Sequence, residues 1–310
     1  MTQTVLFAAG EARWPSYEPH LRAAFDAAGL DARLVTSCPA DQADYIVFAP
    51  GGDIVDFAPY TRCKAVLSLW AGVEKIVGNA TLTQPLCRMV DPALTAGMVE
   101  WVAGHVLRHH LGMDRHIVNP ARDWNPEPPP LAAERPVTIL GLGELGRACG
   151  QALAALGFPV TGWSRSPRTV QGLACLSGDD GLRQALDSAQ ILVTLLPATP
   201  ETDSLINADR LALLRRGAVI LNPGRGTLID DAALLAALDT GQVGHATLDV
   251  FRVEPLPQDH PFWAHPKVTV TPHIAAETRP SSASRIIAEN IRRSEAGEPL
   301  LFRVDRARGY

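Results

Sequence analysis

The sequence lacks a C-x-x-C pair. Its five cysteines, Cys38, Cys63, Cys87, Cys149 and Cys175, are scattered and odd in number. That argues against a disulfide framework or a cysteine zinc site and fits reduced thiols. Positive charge is not in excess: 28 Lys and Arg stand against 33 Asp and Glu, a net charge of -5. Nucleic acid and anionic membrane surfaces are therefore poor partners. No run approaches the ~18 apolar residues of a membrane span. Met1 to Gly10 carries no basic n-region, and its apolar run is only of strand length. No repeat of solenoid length appears. His105, His109 and His110 lack the H-E-x-x-H spacing of a zinc helix, and His245, His260 and His265 show no matching cluster. The expectation is a soluble cytoplasmic protein with no metal, no nucleic acid and no membrane partner.

What is present is enough chain for two domains, 310 residues of which 46% are hydrophobic. Strand-like and helix-like stretches alternate, the pattern of an α/β fold with parallel sheets. Short apolar runs at residues 5–8, 45–48, 65–68 and 86–89 read as strands, and 17–28 and 95–111 as helices. Residues 119–136 contain Pro120, Pro126, Pro128, Pro129, Pro130 and Pro136. Such a stretch is neither helix nor central strand, and reads as an exposed arm. Further strands are expected at 137–140, 158–163, 191–194, 218–221, 246–249 and 268–271, and a last helix at 281–296. That helix could return to the first domain, which predicts 1–100 plus 280–310 as one discontinuous domain and 101–279 as the other.

Gly141, Leu142, Gly143, Glu144, Leu145 and Gly146 form a Gly-x-Gly-x-x-Gly between a strand and a helix. The first glycine permits a tight turn, the second admits a pyrophosphate, and the third lets helix and strand pack closely. The helix N-terminus offers N–H groups and a positive dipole end to the phosphates. Chains that bind NAD usually carry a carboxylate about 20 residues further on, for the ribose 2′-hydroxyl. Here that region is Ser164, Arg165, Ser166, Pro167 and Arg168. Guanidinium forks and hydroxyls suit a 2′-phosphate, so NADP is expected over NAD.

Three polar residues lie just past strands of the second domain: Arg225, Glu254 and His273. Ligands of open α/β sheets bind at the carboxyl ends of strands. The set is what reduction of a 2-keto acid needs. Arg grips the carboxylate and polarises the carbonyl; His protonates the developing alkoxide, and Glu holds the imidazole. Singly, each also has a structural reading: a solvated turn, the end of a strand, a buried hydrogen-bonded histidine.

The order of the glycine loop, Asn222-x-x-Arg-Gly226, Leu248-Asp-Val-Phe-x-x-Glu-Pro-Leu256 and Thr271-Pro-His-Ile-Ala275 resembles the D-2-hydroxyacid dehydrogenase family. Trp163-Ser-Arg-Ser166, Ser68-Leu-Trp-Ala-Gly-Val-Glu74 and the tail Val304-Asp-Arg-Ala-Arg-Gly-Tyr310 are similar to its glyoxylate/hydroxypyruvate reductase A branch. The resemblance spans essentially the whole chain. It implies two Rossmann/flavodoxin-like parallel-sheet domains with the active site in the cleft between them, and a homodimer joined through the cofactor domains. The implied activity is NADPH-dependent reduction of small 2-keto acids, glyoxylate to glycolate and hydroxypyruvate to D-glycerate. The nearest rival activity is phosphoglycerate dehydrogenase or a broad 2-keto acid reductase; a corepressor-like dinucleotide sensor is the rival outside enzymes.

Residue by residue, the resemblance implies Arg225, Glu254 and His273 as the catalytic trio. Leu196 and Pro197 would lie beside the adenine, and Asn222, Pro223 and Gly224 beside the nicotinamide. Asp249 would bind the carboxamide. Ala71, Gly72 and Val73 would hold the substrate carboxylate through backbone N–H groups, with Arg225 and His273 completing the substrate contacts. Trp70 stands where relatives often carry a small residue, and either walls the pocket or packs. Trp124, in the proline-rich stretch, is expected to anchor the arm rather than to cap a partner's site.

Overall fold

The computed structural model describes residues 2–52, 54–306 and 309. Of the tail motif at 304–310, Ala307, Arg308 and Tyr310 lie outside the described residues. The chain runs β1 (Gln3–Ala8), α1 (Trp14–Ala27), β2 (Ala32–Val35), β3 (Tyr45–Phe48), β4 (Ala65–Ser68), β5 (Leu86–Cys87), α2 (Pro92–His110) and α3 (Asp114–Ile117). It continues through β6 (Val137–Leu140), α4 (Glu144–Ala155), β7 (Val160–Ser164), β8 (Ala174–Ser177), α5 (Gly178–Ser188) and β9 (Ile191–Thr194). Then come α6 (Ala208–Leu213), β10 (Ala218–Asn222), α7 (Asp231–Asp239), β11 (Val243–Leu248), β12 (Val268–Val270) and α8 (Pro280–Glu295).

Two compact units result, Met1–Leu94 with Glu277–Tyr310, and Thr95–Ala276. The expected divisions were after residues 100 and 279. The first division falls inside α2, whose apolar spacing gives no sign of which unit claims its opening turn. The first unit has a five-stranded parallel sheet in the order β2-β1-β3-β4-β5, the flavodoxin-like order. Its inner strands β1, β3 and β4 are buried on both faces, so alternate residues enter different cores. Val5 and Phe7 join Tyr45, Val47, Ile287 and Ile291 on one side. Leu6 and Ala8 join Ile46, Phe48 and Phe57 on the other.

The second unit has a seven-stranded parallel sheet in the order β12-β11-β10-β9-β6-β7-β8. Strand β6 is the first of the unit and lies between β7 and β9, so the direction of winding reverses there. This is the switch point at which open α/β sheets bind ligands. Ile139 and Val193 pack with Met98, Val102 and Val106 of α2 on one face. Leu140 and Leu192 pack with Leu182, Leu186 and Leu234 on the other. Residues 120–131 are irregular and exposed, as their prolines predict, while a 3-10 turn at Ala132–Glu134 and the half-buried Arg135 and Pro136 lead into β6. Trp124 corrects the expectation of an anchor: it is 93% exposed, so among the described residues its ring is not buried against the fold. Among the described residues, no helix is long and apolar enough to cross a membrane.

Candidate active site

The glycine loop leaves β6 at the switch point, and each glycine has a separate steric reason. Gly141 has φ +106, and a Cβ there would lie 2.5 Å from Leu195 O. A Cβ on Gly146 would lie 1.8 Å from Gly141 O. Gly143, the N-cap of α4, faces open space: no atom lies within 4 Å of an added Cβ. The loop is thus closed behind its first and third glycines and open in front of its second, the side on which a pyrophosphate would approach. The small, buried Gly146, Cys149 and Gly150 let α4 pack tightly under the loop. Strand β9 delivers Leu196 and Pro197 beside it, since Leu195 N donates to Leu140 O at 2.7 Å. Thr202 Oγ1 donates to Pro197 O at 2.7 Å and holds that second loop.

Strand β7 ends at Ser164, whose hydroxyl donates to Ser166 O at 2.8 Å and tightens the turn. Arg168 folds back on the glycine loop, its Nη1 donating to Leu142 O at 3.2 Å. Arg165 interacts electrostatically with Glu201, whose carboxyl lies below its ordinary pKa, first through its bond with Thr199. Arg165 and Arg168 thus both stand in the turn after β7, and Arg168 links that turn to the glycine loop.

Arg225 follows β10 and is fixed by its neighbours. Its Nη1 donates to Gly224 O at 2.6 Å. Asn222, 1% exposed, donates through Nδ2 to Arg225 O at 3.0 Å. Its Oδ1 accepts from Thr194 Oγ1 at 2.7 Å and from Gly224 N at 3.2 Å. A Cβ on Gly226 would lie 1.9 Å from Phe251 C, so only glycine lets the Arg225 turn lie against the loop that carries Glu254. Glu254 uses both oxygens: Oε1 accepts from Phe251 N at 2.9 Å, and Oε2 is 2.8 Å from His273 Nδ1. The Glu254 and His273 side chains are 35% and 51% exposed, so the pair is open to a ligand.

His273 has φ 54, in the left-handed region. Histidine is among the residues found there more often than most, yet the conformation is strained and must be held. Its N–H donates to Asp249 O at 2.8 Å and to Thr271 O at 3.0 Å. The fully buried Asp249 carboxylate accepts from Thr271 Oγ1 at 2.5 Å, Ile274 N at 2.9 Å and Ala275 N at 2.9 Å. A carboxylate has about four acceptor positions, so roughly one remains for a cofactor amide. Asp249 is thus the buttress of the His273 loop as well as the residue implied for the carboxamide.

In the first unit, Trp70 to Val73 follow β4. Ser68 Oγ accepts from Trp70 N at 3.1 Å and donates to Trp70 O at 3.2 Å, which pins the bend. Trp70 is 36% exposed, with the Arg13 guanidinium 5.8 Å from its ring centroid. Ala71 and Gly72 are half-buried and Val73 is buried.

Two features were not legible in the sequence. Arg252 Nη2 donates to Thr227 O and Ile229 O, each at 3.1 Å, and to Ser204 Oγ at 2.7 Å. It ties the Glu254 loop to the turn after Arg225. The x-x positions of a motif give no sign of such a role. His245 does have a cluster: its ring centroid is 4.7 Å from that of His109. Their separation of 136 positions hides the pairing from any spacing rule.

The chain is similar to known proteins in both sequence and fold. The sequence model of the D-isomer specific 2-hydroxyacid dehydrogenase NAD-binding domain matches residues 103–275. A glyoxylate/hydroxypyruvate reductase A from Serratia proteamaculans is 39% identical over 95% of this chain and 98% of its own. A D-isomer specific 2-hydroxyacid dehydrogenase from Xanthobacter autotrophicus Py2, solved with NADPH and MES, superposes with a TM-score of 0.93 at 39% identity, covering 100% of both chains. An NADPH-dependent glyoxylate/hydroxypyruvate reductase from Sinorhizobium meliloti, solved with NADP and sulfate, gives a TM-score of 0.86 at 35% identity over 99% of this chain and 100% of its own.

Proposed function

The chain belongs to the D-isomer specific 2-hydroxyacid dehydrogenase family, and on that premise we propose that it is an NADPH-dependent reductase of small 2-keto acids. Its substrates are glyoxylate, taken to glycolate, and hydroxypyruvate, taken to D-glycerate. The observation that carries the proposal is the Glu254–His273 pair, 2.8 Å apart, on the sheet whose other loops present Arg225 and the open face at Gly143.

The residues present fit the cofactor: the second glycine faces open space, while the first and third are walled by backbone. Gly141 to Gly146 would hold the pyrophosphate, and Ser164, Arg165, Ser166 and Arg168 the 2′-phosphate. Leu196 and Pro197 would lie beside the adenine, Asn222 to Gly224 and Asp249 beside the nicotinamide. Bound NADPH supplies the hydride. The chain's own residues do the rest. Arg225 binds the substrate carboxylate and polarises the keto oxygen, a charge-assisted contact that strengthens as negative charge develops. His273 gives its proton to that oxygen from Nε2, because Nδ1 is turned to Glu254. Glu254 orients the ring and Asp249 holds its backbone. In the first unit, the N–H groups of Ala71, Gly72 and Val73 bind carboxylate oxygen, with Trp70 beside them. The active protein is a homodimer joined through the second unit.

The test is NADPH oxidation with glyoxylate, hydroxypyruvate and a panel of larger 2-keto acids. Turnover of the two small acids with NADPH supports the proposal. Tight NADPH binding with no turnover of any 2-keto acid would overturn it in favour of a dinucleotide sensor.

A further inference from the structure

On the face of the second unit's sheet covered by α2, three side chains converge that the proposed chemistry does not use. His109 lies in the last turn of α2, Asp114 opens α3, and His245 is on β11. Their ligand atoms all lie within 4.8 Å of one another. We propose that His109, Asp114 and His245 form a divalent-cation site that takes Zn2+.

The surroundings are those of a built site. His109 Nε2 is 2.9 Å from Thr247 Oγ1, and His245 Nε2 is 2.9 Å from Thr269 Oγ1. Each ring is therefore oriented through Nε2, leaving Nδ1 as the nitrogen for an ion. Metal-binding histidines are held in this way by a partner on the second nitrogen. Asp114 Oδ1 accepts from Arg108 Nε at 2.7 Å, which leaves Oδ2. Arg108 also donates to Thr269 Oγ1 at 3.0 Å, so one guanidinium links the carboxylate to the hydroxyl behind His245. All three ligand residues are half-buried, so an ion can enter and water can complete its shell.

Two imidazoles and one carboxylate select a borderline transition ion. Mg2+ and Ca2+ prefer all-oxygen shells. A tetrahedral ion bonded at ~2.0–2.2 Å sets its ligands ~3.3–3.6 Å apart, so the widest pair in the cluster draws in by up to about 1.2–1.5 Å, within reach of side-chain rotation. Arg108 opposes a dication, and the Asp114 carboxylate beside it offsets that charge. An ion here would clamp the corner between α2 and α3 to β11, the strand that leads into Asp249. The proposal departs from the sequence expectation of no metal.

The test uses the tag-free full chain, stripped with EDTA and titrated with Co2+ as a spectroscopic stand-in for Zn2+. One equivalent of Co2+ with visible d–d absorption, displaced by Zn2+, is expected. A rise in melting temperature with Zn2+ but not with Mg2+ should accompany it. Loss of an outer-shell partner typically costs ~10–100-fold in affinity. Thr269→Val should fall in that range, and His245→Gln or Asp114→Asn should cost at least as much. Asp114→Asn preserves shape at a half-exposed position, so it keeps the test valid should His245→Gln not fold. No Co2+ absorption at one equivalent, or binding unchanged in Asp114→Asn and His245→Gln, would overturn the proposal. If the cluster only braces the fold, the variants lower the melting temperature in EDTA and Zn2+ has no effect on the wild type.

Discussion

Glu254 Oε2 lies 2.8 Å from His273 Nδ1 while Glu254 Oε1 takes the N–H of Phe251 at 2.9 Å. The carboxylate is held from behind, so its outer oxygen fixes the imidazole rather than following it. His273 is itself held in a left-handed backbone conformation by Asp249 and Thr271. Orientation is therefore built from two sides: the backbone aims the side chain and the carboxylate sets its rotation.

If the two act as one unit, their losses will not add. His273→Ala should lower kcat for glyoxylate about 10²–10⁴-fold, the usual contribution of a positioned acid. Glu254→Gln keeps the shape and should cost less. The double variant should be no slower than His273→Ala alone, because residues of one unit are grossly non-additive. Steady-state kinetics of the four proteins decide it. Independent, multiplying losses would show that Glu254 does not act through His273.

Arg225 should be required for the substrate and not for the cofactor. Arg225→Ala should cost about 2.7–4 kcal/mol in kcat/KM, as loss of one preorganised donor to a developing oxyanion does. Lys should rescue poorly, because an ammonium cannot reproduce the planar fork. Fluorescence titration should give an unchanged Kd for NADPH. A near-wild-type kcat/KM in Arg225→Ala would remove it from the site.

The thiols should divide by depth. Burial pushes Cys63 and Cys149 up to about 12 and Cys87 to about 11. It also raises Cys38, though less of that residue is buried. The thiolate is the reactive form, and a group four units above the working pH is ionised about once in ten thousand. Native alkylation at pH 8 should label the half-buried Cys175 and Cys38, and the other three only after unfolding. Because the folded state raises these pKa values, raising the pH should speed labelling of Cys38 before it exposes the buried set. Peptide mapping by mass spectrometry reads the order, and early labelling of Cys149 would contradict it.

Much of this was legible because it is local. Strands β3, β4, β6 and β9 are fully buried runs of four residues, dominated by apolar side chains. The edge strands β2 and β8 were not read. Their residues are half-exposed and carry little apolar pattern, so pairing with β1 and β7 makes them strands rather than their own sequence. The trio was readable from motif order, and the Asp230 cap of α7, which accepts from Ala233 N at 2.9 Å, is likewise a local contact. Arg252 and the His109–His245 pair were hidden, since long-range contacts leave no periodic trace.

The glycine loop offers a test in which two similar changes should separate. Gly146→Ala places a Cβ 1.8 Å from Gly141 O, backbone that cannot move aside cheaply. Overpacking of this kind typically costs about 1–3 kcal/mol or more, so this variant should melt lower whether or not cofactor is present. Gly143→Ala meets nothing within 4 Å. Its melting temperature without cofactor should match the wild type, while NADPH affinity falls because the methyl group occupies the approach of the pyrophosphate. Thermal melts with and without NADPH separate the two. Unchanged NADPH affinity in Gly143→Ala would place the pyrophosphate elsewhere.

Arg165 and Arg168 should affect cofactor binding in different ways. Arg168 donates to Leu142 O and so supports the glycine loop itself. Arg168→Ala should weaken both NADPH and NADH through the loop, and NADPH more, because the same guanidinium is proposed for the 2′-phosphate. Arg165 lies in the same turn, in the field of Glu201, and its proposed work is on the 2′-phosphate alone. A hydrogen bond to a charged group contributes about 1.5–3 kcal/mol, or roughly 10–150-fold. Arg165→Asp replaces that attraction with repulsion, so the ratio of kcat/KM for NADPH over NADH should drop by at least this factor while kcat/KM for NADH holds or rises. Glu201→Gln, which removes the opposing carboxylate, should shift the ratio slightly the other way. Wild-type preference for NADH, or an unchanged ratio in Arg165→Asp, would mean that these guanidinium groups do not select the phosphate.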